Sequence, residues 1–457
     1  MPQESRPIAA PEAPPTSTHL TRILGLGFGV AVIFGGTVGV GVLRLPGTIA
    51  GELGSFWLIL AAWVIGGIYA LLGAVSVAEL GAAMPQAGGF YVYAKRAFGP
   101  AAGFAVGWAD WLNNCAVVAY GASAAAEYIA ALAPGALGGQ TRVLTALALG
   151  LLTLFCALHW FGLRLGSGIQ KLSSSVTAIT FIALAVACLF HAGAPQPSAL
   201  PLHSASFAVM LAPVVAALRA IVVTYDGWYE AIYFTEEDTD AAHHLPRAMI
   251  GGVLLVMALY LLMNLAFLHV LPISALAASN LPAADAAQIV FAHGSGQFVT
   301  VLSLLTLLSL INAVLLGAPR ILFAIGRDGL FSQRALRVSA GGTPRPAMLI
   351  SAALSAIMVL SGRFEDIIAV AAILVALMYC VNYVAVIVLR LREPGLPRPF
   401  RAWGYPWTTL LVLLGSVVFL VADVHDDPAS AARAAVLLAA ALPVYVWMHY
   451  KIRLSSV

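Results

Sequence analysis

The chain has 457 residues, of which 61% are hydrophobic and 9% are charged, with a formal net charge of +3. Soluble globular proteins carry about 25% charged residues, so this composition excludes a water-soluble protein. It predicts an all-α polytopic membrane protein, because helices satisfy their own backbone groups in lipid. The small positive charge lies in many short loops, which indicates orientation in a bilayer and does not predict nucleic-acid binding.

Twelve apolar stretches of about 20 residues predict twelve transmembrane helices. They are 22–46, 56–80, 102–131, 142–161, 170–191, 207–234, 247–271, 297–325, 346–362, 365–391, 407–424 and 432–450. Residues 1–20 are polar and Pro-rich, so we expect a disordered cytoplasmic tail there and no signal peptide.

Basic residues set the predicted orientation. With the N-terminus in the cytoplasm, the inner segments hold 18 Lys and Arg residues, whereas the outer segments hold three, Arg142, Arg363 and Arg433. Because Lys and Arg favour cytoplasmic loops, we expect both termini in the cytoplasm of a multi-pass protein of the inner membrane.

Two glycine-containing interruptions lie at the same place in each half of the chain, 35–41 in the first span and 224–228 in the sixth. An unwound helix exposes free backbone groups, which are tolerated only around a buried cavity. Each interruption begins a set of five spans, and an odd number of spans inverts the second set. We therefore expect inverted repeats at 21–191 and 207–391, with two peripheral helices at 407–450.

The first interruption offers backbone N–H groups at the start of a half-helix, where the helix dipole favours negative charge. We therefore expect Val38, Gly39, Val40 and Gly41 to bind a substrate carboxylate. The alternative is close helix packing by small residues, which does not explain why the interruption occurs twice.

The second interruption places Asp226 deep in a span, and intramembrane carboxylates are costly and usually functional. The half-helix that ends at Tyr225 presents carbonyls that suit a substrate ammonium. Asp226 could strengthen that binding or carry a proton, and the second role is also open to Glu230. The alternative is a structural ion pair between Asp226 and Arg44 or Arg219.

Five motifs, in order from about residue 25 to about residue 407, resemble those of amino acid–polyamine–organocation (APC) transporters, in particular bacterial L-type amino-acid transporter-like permeases. They are Gly39-Val40-Gly41-Val42-Leu43, Glu79 to Tyr93, Tyr225-Asp226-Gly227-Trp228 with Thr235-Glu236-Glu237, Arg320 to Gly329 with Thr343-Pro344, and Arg398-Pro399-Phe400-Arg401 with Gly404-Tyr405-Pro406. The resemblance implies a LeuT-like fold with broken helices 1 and 6, and an amino acid as substrate.

Roles for three more positions follow from this resemblance. Trp228, next to Gly227, would close over the substrate as an aromatic lid, with a plain core aromatic as the alternative. Asn113 and Asn114 stand on the third span, which contacts substrate in family members, although asparagines also bond neighbouring helices. Asn312, Tyr379 and Asn382 are further candidates of the same kind.

Charged residues near the ends of the spans predict gates. Arg44 resembles an outer gate residue whose partner would be Glu365 or Asp366, with snorkelling to the interface as the alternative. At the inner end we expect Glu236 and Glu237 to pair with arginines. The nearby His243 and His244 would suit a metal site, which we consider the weaker interpretation.

Coupling is the least determined property. Sodium-independent members of the family often place a Lys on the fifth span, where this chain has Ser173 to Thr177. The hydroxyl of Thr177 could help to coordinate sodium or could bond a neighbouring helix. Obligatory exchange, proton symport through Asp226 or Glu230, and sodium symport stay open.

We expect an alternating-access transporter of neutral amino acids, working as an exchanger or a proton symporter, because Arg44 or Arg219 would neutralise Asp226. The alternatives are a cationic amino-acid or polyamine transporter, or a substrate sensor or channel on the same scaffold. No HExxH or GxSxG motif is present, so an enzyme is not expected, nor is a metal or cofactor. Residues 132–142 lack Cys, so we expect no disulfide-linked heavy chain.

Overall fold

The computed structural model describes residues 19–133, 135, 140–193, 207–291, 294–362 and 364–455. In the first half the helices are α1 (Leu26–Thr37), α2 (Gly41–Leu53), α3 (Phe56–Ala83), α4 (Phe90–Phe98), α5 (Pro100–Leu132), α6 (Thr141–Trp160) and α7 (Leu163–Phe190). In the second half they are α8 (Phe207–Thr224), a 3-10 helix (Glu230–Glu237), α9 (Ala241–Val270), α10 (Ile273–Ala278), α11 (Pro282–Phe291), α12 (Ser295–Arg327), a 3-10 turn (Gln333–Leu336), α13 (Arg345–Ser361), α14 (Phe364–Arg392), α15 (Trp407–Asp426) and α16 (Pro428–Ser455).

The apolar helices have the lengths that a bilayer requires. Within the described residues nine are long and apolar enough to cross a membrane, and α1 with α2 forms a tenth span bent by 50°. Two of the predicted spans, 207–234 and 346–362, contain shorter apolar helices. The prediction of an all-helical polytopic membrane protein is therefore confirmed for the part of the chain that the structure describes.

The broken helix α1 lies inside the bundle, where it packs against α7, α9 and α12. α12 is the most enclosed of the spanning helices, with 72% of its apolar window buried, whereas the windows of α15 and α16 are each 17% buried. The apolar windows of the last two helices are thus little covered by the rest of the described chain, and the first broken helix lies where its free backbone groups are surrounded by protein.

Three short helices were not predicted, because hydropathy over about 20 residues detects only full spans. α4 connects α3 to α5, and Gly89 and Gly99 border it with φ of +49° and +95°. α10 and α11 lie between α9 and α12, and both contact α2. These helices extend the packing around the two broken spans.

A buried ion pair holds the 3-10 helix to α12. Arg320 and Glu237 have side chains that are 1% and 0% exposed, and Arg320 Nη2 donates to Glu237 Oε1 at 2.8 Å. The guanidinium also lies 4.6 Å from the ring centroid of Phe234. Removing one partner of a buried pair leaves an uncompensated charge, which typically costs about 3–5 kcal/mol.

We therefore expect Glu237→Gln to lower the thermal unfolding midpoint of the detergent-solubilised protein by several degrees, measured by loss of monodisperse protein on heating. Arg96→Ala is the control, because Arg96 pairs with Glu393 near the surface at 2.8 Å, where a pair contributes about 0–1 kcal/mol. Equal midpoints for the two variants would contradict the role given to the buried pair.

Candidate functional site

The two predicted interruptions are present and lie against each other. The first falls between α1 and α2 at residues 38–40, and the second falls between α8 and the 3-10 helix at 225–229. Gly227 has φ +101°, and a Cβ at this position would overlap the carbonyl oxygen of Gly36. The second unwound segment is therefore in direct contact with the last turn of α1, immediately before the first unwound segment.

Tyr260 of α9 joins the ends of the two broken helices. Its hydroxyl lies 3.1 Å from the carbonyl oxygen of Thr37 and 3.0 Å from that of Thr224. These residues end α1 and α8, and carbonyls at a helix end lack a partner in their own helix. Tyr260 could not be selected from the sequence, because a tyrosine in an apolar span does not indicate which backbone it will meet.

The start of α2 presents the expected amide donors. Val40 is the N-cap residue, and its side chain makes no capping hydrogen bond. The N–H of Leu43 donates to the Val40 carbonyl at 3.1 Å. The first N–H groups of a helix have no partner within it. A Cβ on Gly39 would meet no atom within 4 Å, so there is open space beside these donors. This helix end can accept an anionic group.

Asp226 lies in the second unwound segment and is half-buried. Tyr379 of α14 donates a hydrogen bond to its carboxylate. The ring of Tyr379 stacks on Trp228, with centroids 5.3 Å apart and planes inclined by 28°, and Trp228 is 3% exposed. The structure therefore brings Asp226, Trp228 and Tyr379 into one group.

The ion pair between Arg219 and Asp226, one form of the alternative interpretation of Asp226, is not formed. Arg219 binds two acids of α15, Asp423 at 2.6 Å and Asp426. The chain unwinds after Thr224, so helical spacing no longer determines which side chains share a face. Arg219 is therefore not available to neutralise Asp226.

The other arginine named as a partner, Arg44, is exposed. Its suggested gate partners Glu365 and Asp366 lie on α14, but their side chains fall outside the described part of the structure. The gate therefore stays a prediction.

The third predicted span, α5, contributes a buried acid beside its two asparagines. Asp110 Oδ1 accepts a hydrogen bond from Tyr233 at 2.7 Å, and Asn114 Nδ2 lies 3.1 Å from the same oxygen. Asn114 also donates to the carbonyl of Asp110 at 2.8 Å. Asn113 is 2% exposed and lies beside Tyr229. Both asparagines are thus buried near the second unwound segment.

The fifth predicted span, α7, contacts α1 through Gln170 and Ser174, and Thr177 does not make this contact. Gln170 Nε2 and Ser174 Oγ donate to the carbonyl of Ala31 at 3.2 and 2.7 Å. Gln170 Nε2 also lies 3.1 Å from Ser309 Oγ. Thr177 is 1% exposed, and its hydroxyl has no partner among the described residues. Gln170 could not be selected from the sequence, because a glutamine in a span does not indicate which helix it will contact.

Gln170 is itself held by a buried polar chain. Asn312 of α12 donates to Gln170 Oε1 at 2.7 Å, and its own side-chain oxygen lies 2.9 Å from Nε2 of His159. Asn312 thus holds the Gln170 side chain of α7. Asn382, another candidate, donates to the carbonyl of Met378 in its own helix. Neither asparagine is placed at the unwound segments by these contacts.

Ion pairs cluster at one end of the bundle. Glu236 pairs with Arg327 at 2.7 Å, Glu237 pairs with Arg320, and Glu79 pairs with Arg390. The expected pairing of Glu236 and Glu237 with arginines is confirmed. His243 and His244 instead pair with nearby acids, the first with Asp240 at 2.9 Å and the second with Asp238 at 2.7 Å.

An all-helical membrane bundle with two facing broken helices defines the class of polytopic transport proteins in which solute sites lie at such breaks. The chain belongs to the amino acid permease family, whose pattern it matches over residues 27–442. This membership confirms the resemblance to APC transporters and means that the protein is a permease and not an enzyme.

Three relatives are similar along most of their length. The serine/threonine exchanger SteT of Bacillus subtilis (strain 168) is 27% identical over 436 residues, which cover 94% of this chain and 97% of SteT. The human b(0,+)-type amino acid transporter 1 is 25% identical, covering 96% and 90% of the two chains. The human Asc-type amino acid transporter 1 is 27% identical, covering 93% and 82%. Amino acid transport is thus the common activity of the relatives.

Gly227→Ala should abolish uptake of substrate by reconstituted protein, because the new Cβ meets the Gly36 carbonyl and because positive φ costs a non-glycine residue about 1–3 kcal/mol. Gly150→Ala is the control, since a Cβ on Gly150 of α6 meets no atom within 4 Å. Uptake by Gly227→Ala within twofold of the control would show that the two segments need not touch.

Proposed function

We propose that this protein is a secondary active transporter that moves amino acids across the cell membrane by alternating access. The contact between the second unwound segment and the end of α1, beside the first break, supports this most strongly. A zwitterion carries the two opposite charges that the ends of broken helices attract, and paired breaks in two halves of a chain are typical of transporter sites.

Each end of the substrate has a proposed partner. The carboxylate binds the amide donors at the first break, formed by Val38, Gly39, Val40 and Gly41, where the open space beside Gly39 admits it. The ammonium binds Asp226 and the carbonyl end of α8 at Tyr225. Because Arg219 is held by Asp423 and Asp426, Asp226 is free to accept the ammonium in place of the Tyr379 hydroxyl.

Neighbouring side chains complete the proposed site. Gly227 lets the second segment approach the first. Trp228, stacked on Tyr379, covers the substrate with its ring. Asn113 and Asn114 of α5 stand nearby, both buried. Arg44, Glu230 and Thr177 keep their proposed roles in gating or coupling.

We propose a LeuT-like arrangement of twelve spans for the whole chain. The nine long helices, the bent pair α1–α2 and the two shorter apolar helices in α8 and α13 would supply them, with α15 and α16 outside the two inverted repeats. The excess of basic residues in the proposed inner segments favours cytoplasmic termini and the inner membrane. The lack of Cys at 132–142 favours a transporter without a disulfide-linked heavy chain.

The proposed substrates are neutral amino acids, because the charges of the proposed site match those of a zwitterion. One carboxylate at Asp226 balances one α-ammonium, and the helix end at α2 balances one carboxylate, so a zwitterion leaves no charge unmatched. A cationic side chain would need a second acid close to the substrate. Glu230 and Asp110 are candidates for that acid, and the test below includes lysine and arginine for this reason.

The contacts of Gln170 favour exchange or proton symport over sodium symport. A sodium ion binds oxygen lone pairs, but the carbonyl of Ala31 already accepts hydrogen bonds from Gln170 and Ser174. The Gln170 amide also occupies the space beside Ser309 and Gly35. An ion would have to displace this side chain in order to bind between α1, α7 and α12.

Uptake of radiolabelled amino acids into proteoliposomes tests the proposed function. We expect saturable uptake of serine, threonine or another neutral amino acid that exceeds uptake of lysine and arginine and changes less than twofold when choline replaces sodium. Uptake that needs an amino acid in the lumen would identify an exchanger, and uptake into empty vesicles under an inward proton gradient would identify a symporter. Binding without uptake indicates a sensor, and unsaturable currents indicate a channel; either result rejects the proposal.

Asp226→Asn should raise the KM for a neutral substrate by about 10- to 100-fold, because a hydrogen bond to a charged group contributes about 1.5–3 kcal/mol. Asp285→Asn is the control, since Asp285 is exposed and bonds Ser279. Initial rates across substrate concentrations give KM for both variants. An unchanged KM in Asp226→Asn would remove the residue from the substrate site.

A further inference from the structure

Two buried acids next to the second unwound segment take no part in the proposed binding of a neutral amino acid. Asp110 is 0% exposed and Glu230 is 3% exposed. One oxygen of each, Asp110 Oδ2 and Glu230 Oε2, has no hydrogen-bond partner among the described residues. Since buried polar atoms are nearly always hydrogen-bonded, this pair of unpartnered oxygens calls for an explanation.

The groups that face the two acids bring no positive charge. From the second segment these groups are Asp226, Tyr229 and Tyr233, and from α5 they are Asn113 and Asn114. From α1 and α12, Gly36 and Gly317 lie against Glu230. These facing groups are acids, phenols, amides or glycines.

Arg320 of α12 is already held by Glu237. Burying two unpaired carboxylates costs several kcal/mol for each ion, so the pair requires a positive charge from elsewhere.

The Glu230 side chain packs closely against glycines of α1 and α12. A Cβ on Gly36 would lie 2.5 Å from Glu230 Cγ, and a Cβ on Gly317 would lie 3.3 Å from Glu230 Oε2. The carboxyl is therefore enclosed between α1 and α12. A substrate side chain or a hydrated ion would have to push these helices apart, whereas a proton occupies no additional volume.

We propose that Asp110 and Glu230 together hold the transported proton, and that Asp226 is left as the carboxylate that binds substrate. This proposal rests on the proposed function as a transporter, and it deepens that function by naming the coupling site. Tyr233 connects the two acids, because its hydroxyl donates to Asp110 Oδ1 at 2.7 Å and its ring lies beside Glu230, with Tyr233 Cδ2 and Glu230 Oε2 at 3.1 and 3.3 Å from a Cβ built on Gly317. A proton held by the two acids removes the repulsion between their like charges. The only bond that forms or breaks is an O–H bond, and the proton comes from water on one side and returns to water on the other.

The position of the pair explains how proton and substrate movements would be linked. Glu230 begins the 3-10 helix and its side chain lies against Gly36, just before the first break. Any movement that separates the two unwound segments also moves Glu230 away from α1 and lets water reach its carboxyl. Substrate release and proton release would then depend on the same movement.

The test measures protons and substrate in the same proteoliposomes, with a pH-sensitive dye in the lumen and radiolabelled neutral amino acid outside. Wild type should acidify the lumen as substrate enters. In Asp110→Asn and Glu230→Gln the number of protons moved per substrate should fall about tenfold or more. Glu230→Asp, which keeps the carboxyl, should retain coupling, and Glu127→Gln, an exposed acid on the same helix α5, should match wild type.

Each other outcome overturns the proposal in a recognisable way. Normal amino-acid exchange by wild type with no substrate-driven proton movement would reject the proton site and leave the proposed transport function intact. Coupling lost only in Asp226→Asn would assign the proton to Asp226. Selective loss of lysine or arginine uptake in Asp110→Asn and Glu230→Gln would show that the pair binds a cationic side chain. Should Asp110→Asn not yield folded protein, Glu230→Gln against Glu230→Asp decides.

Discussion

Backbone N–H and C=O groups cannot be left unpaired in hydrocarbon, and this constraint explains why the two unwound segments lie together. α1 is surrounded by α7, α9 and α12, and Gly227 meets the backbone of Gly36. Tyr260 provides one hydroxyl between the last carbonyls of α1 and α8. At the start of α2 the Val40 side chain makes no capping hydrogen bond, so the amide donors there are the groups left for a ligand.

The charges of the bundle are separated in a way that follows from the cost of burying them. Arginines neutralise Glu236, Glu237 and Glu79 at one end of the bundle. In contrast, Asp226 and Asp110 have phenol hydroxyls as partners, and Glu230 lies between glycines of α1 and α12. Acids without a basic partner are stable in such a place only when a ligand or a proton supplies the missing charge. In the proposed mechanism the central acids are therefore the groups that bind the substrate and the proton.

The helical class and the positions of both interruptions could be predicted, because apolar length and glycine clusters are local features of the sequence. The partners of the charged residues could not. Arg219 is seven residues from Asp226, but the chain unwinds after Thr224 and Arg219 binds α15 instead. Gln170 and Tyr260 contact backbone atoms of other helices, and neither residue type signals such a contact. The short helices α4, α10 and α11 are below the length that hydropathy detects.

We propose that one amino acid spans the two unwound segments. A structure determined by electron cryo-microscopy with a transported neutral amino acid is the most direct test. We expect density for a ligand whose carboxylate lies about 3 Å from the amide nitrogens between Gly39 and Gly41. Its ammonium should lie beside Asp226. Density for the ligand at a place that touches only one of the segments, or neither, would contradict the account.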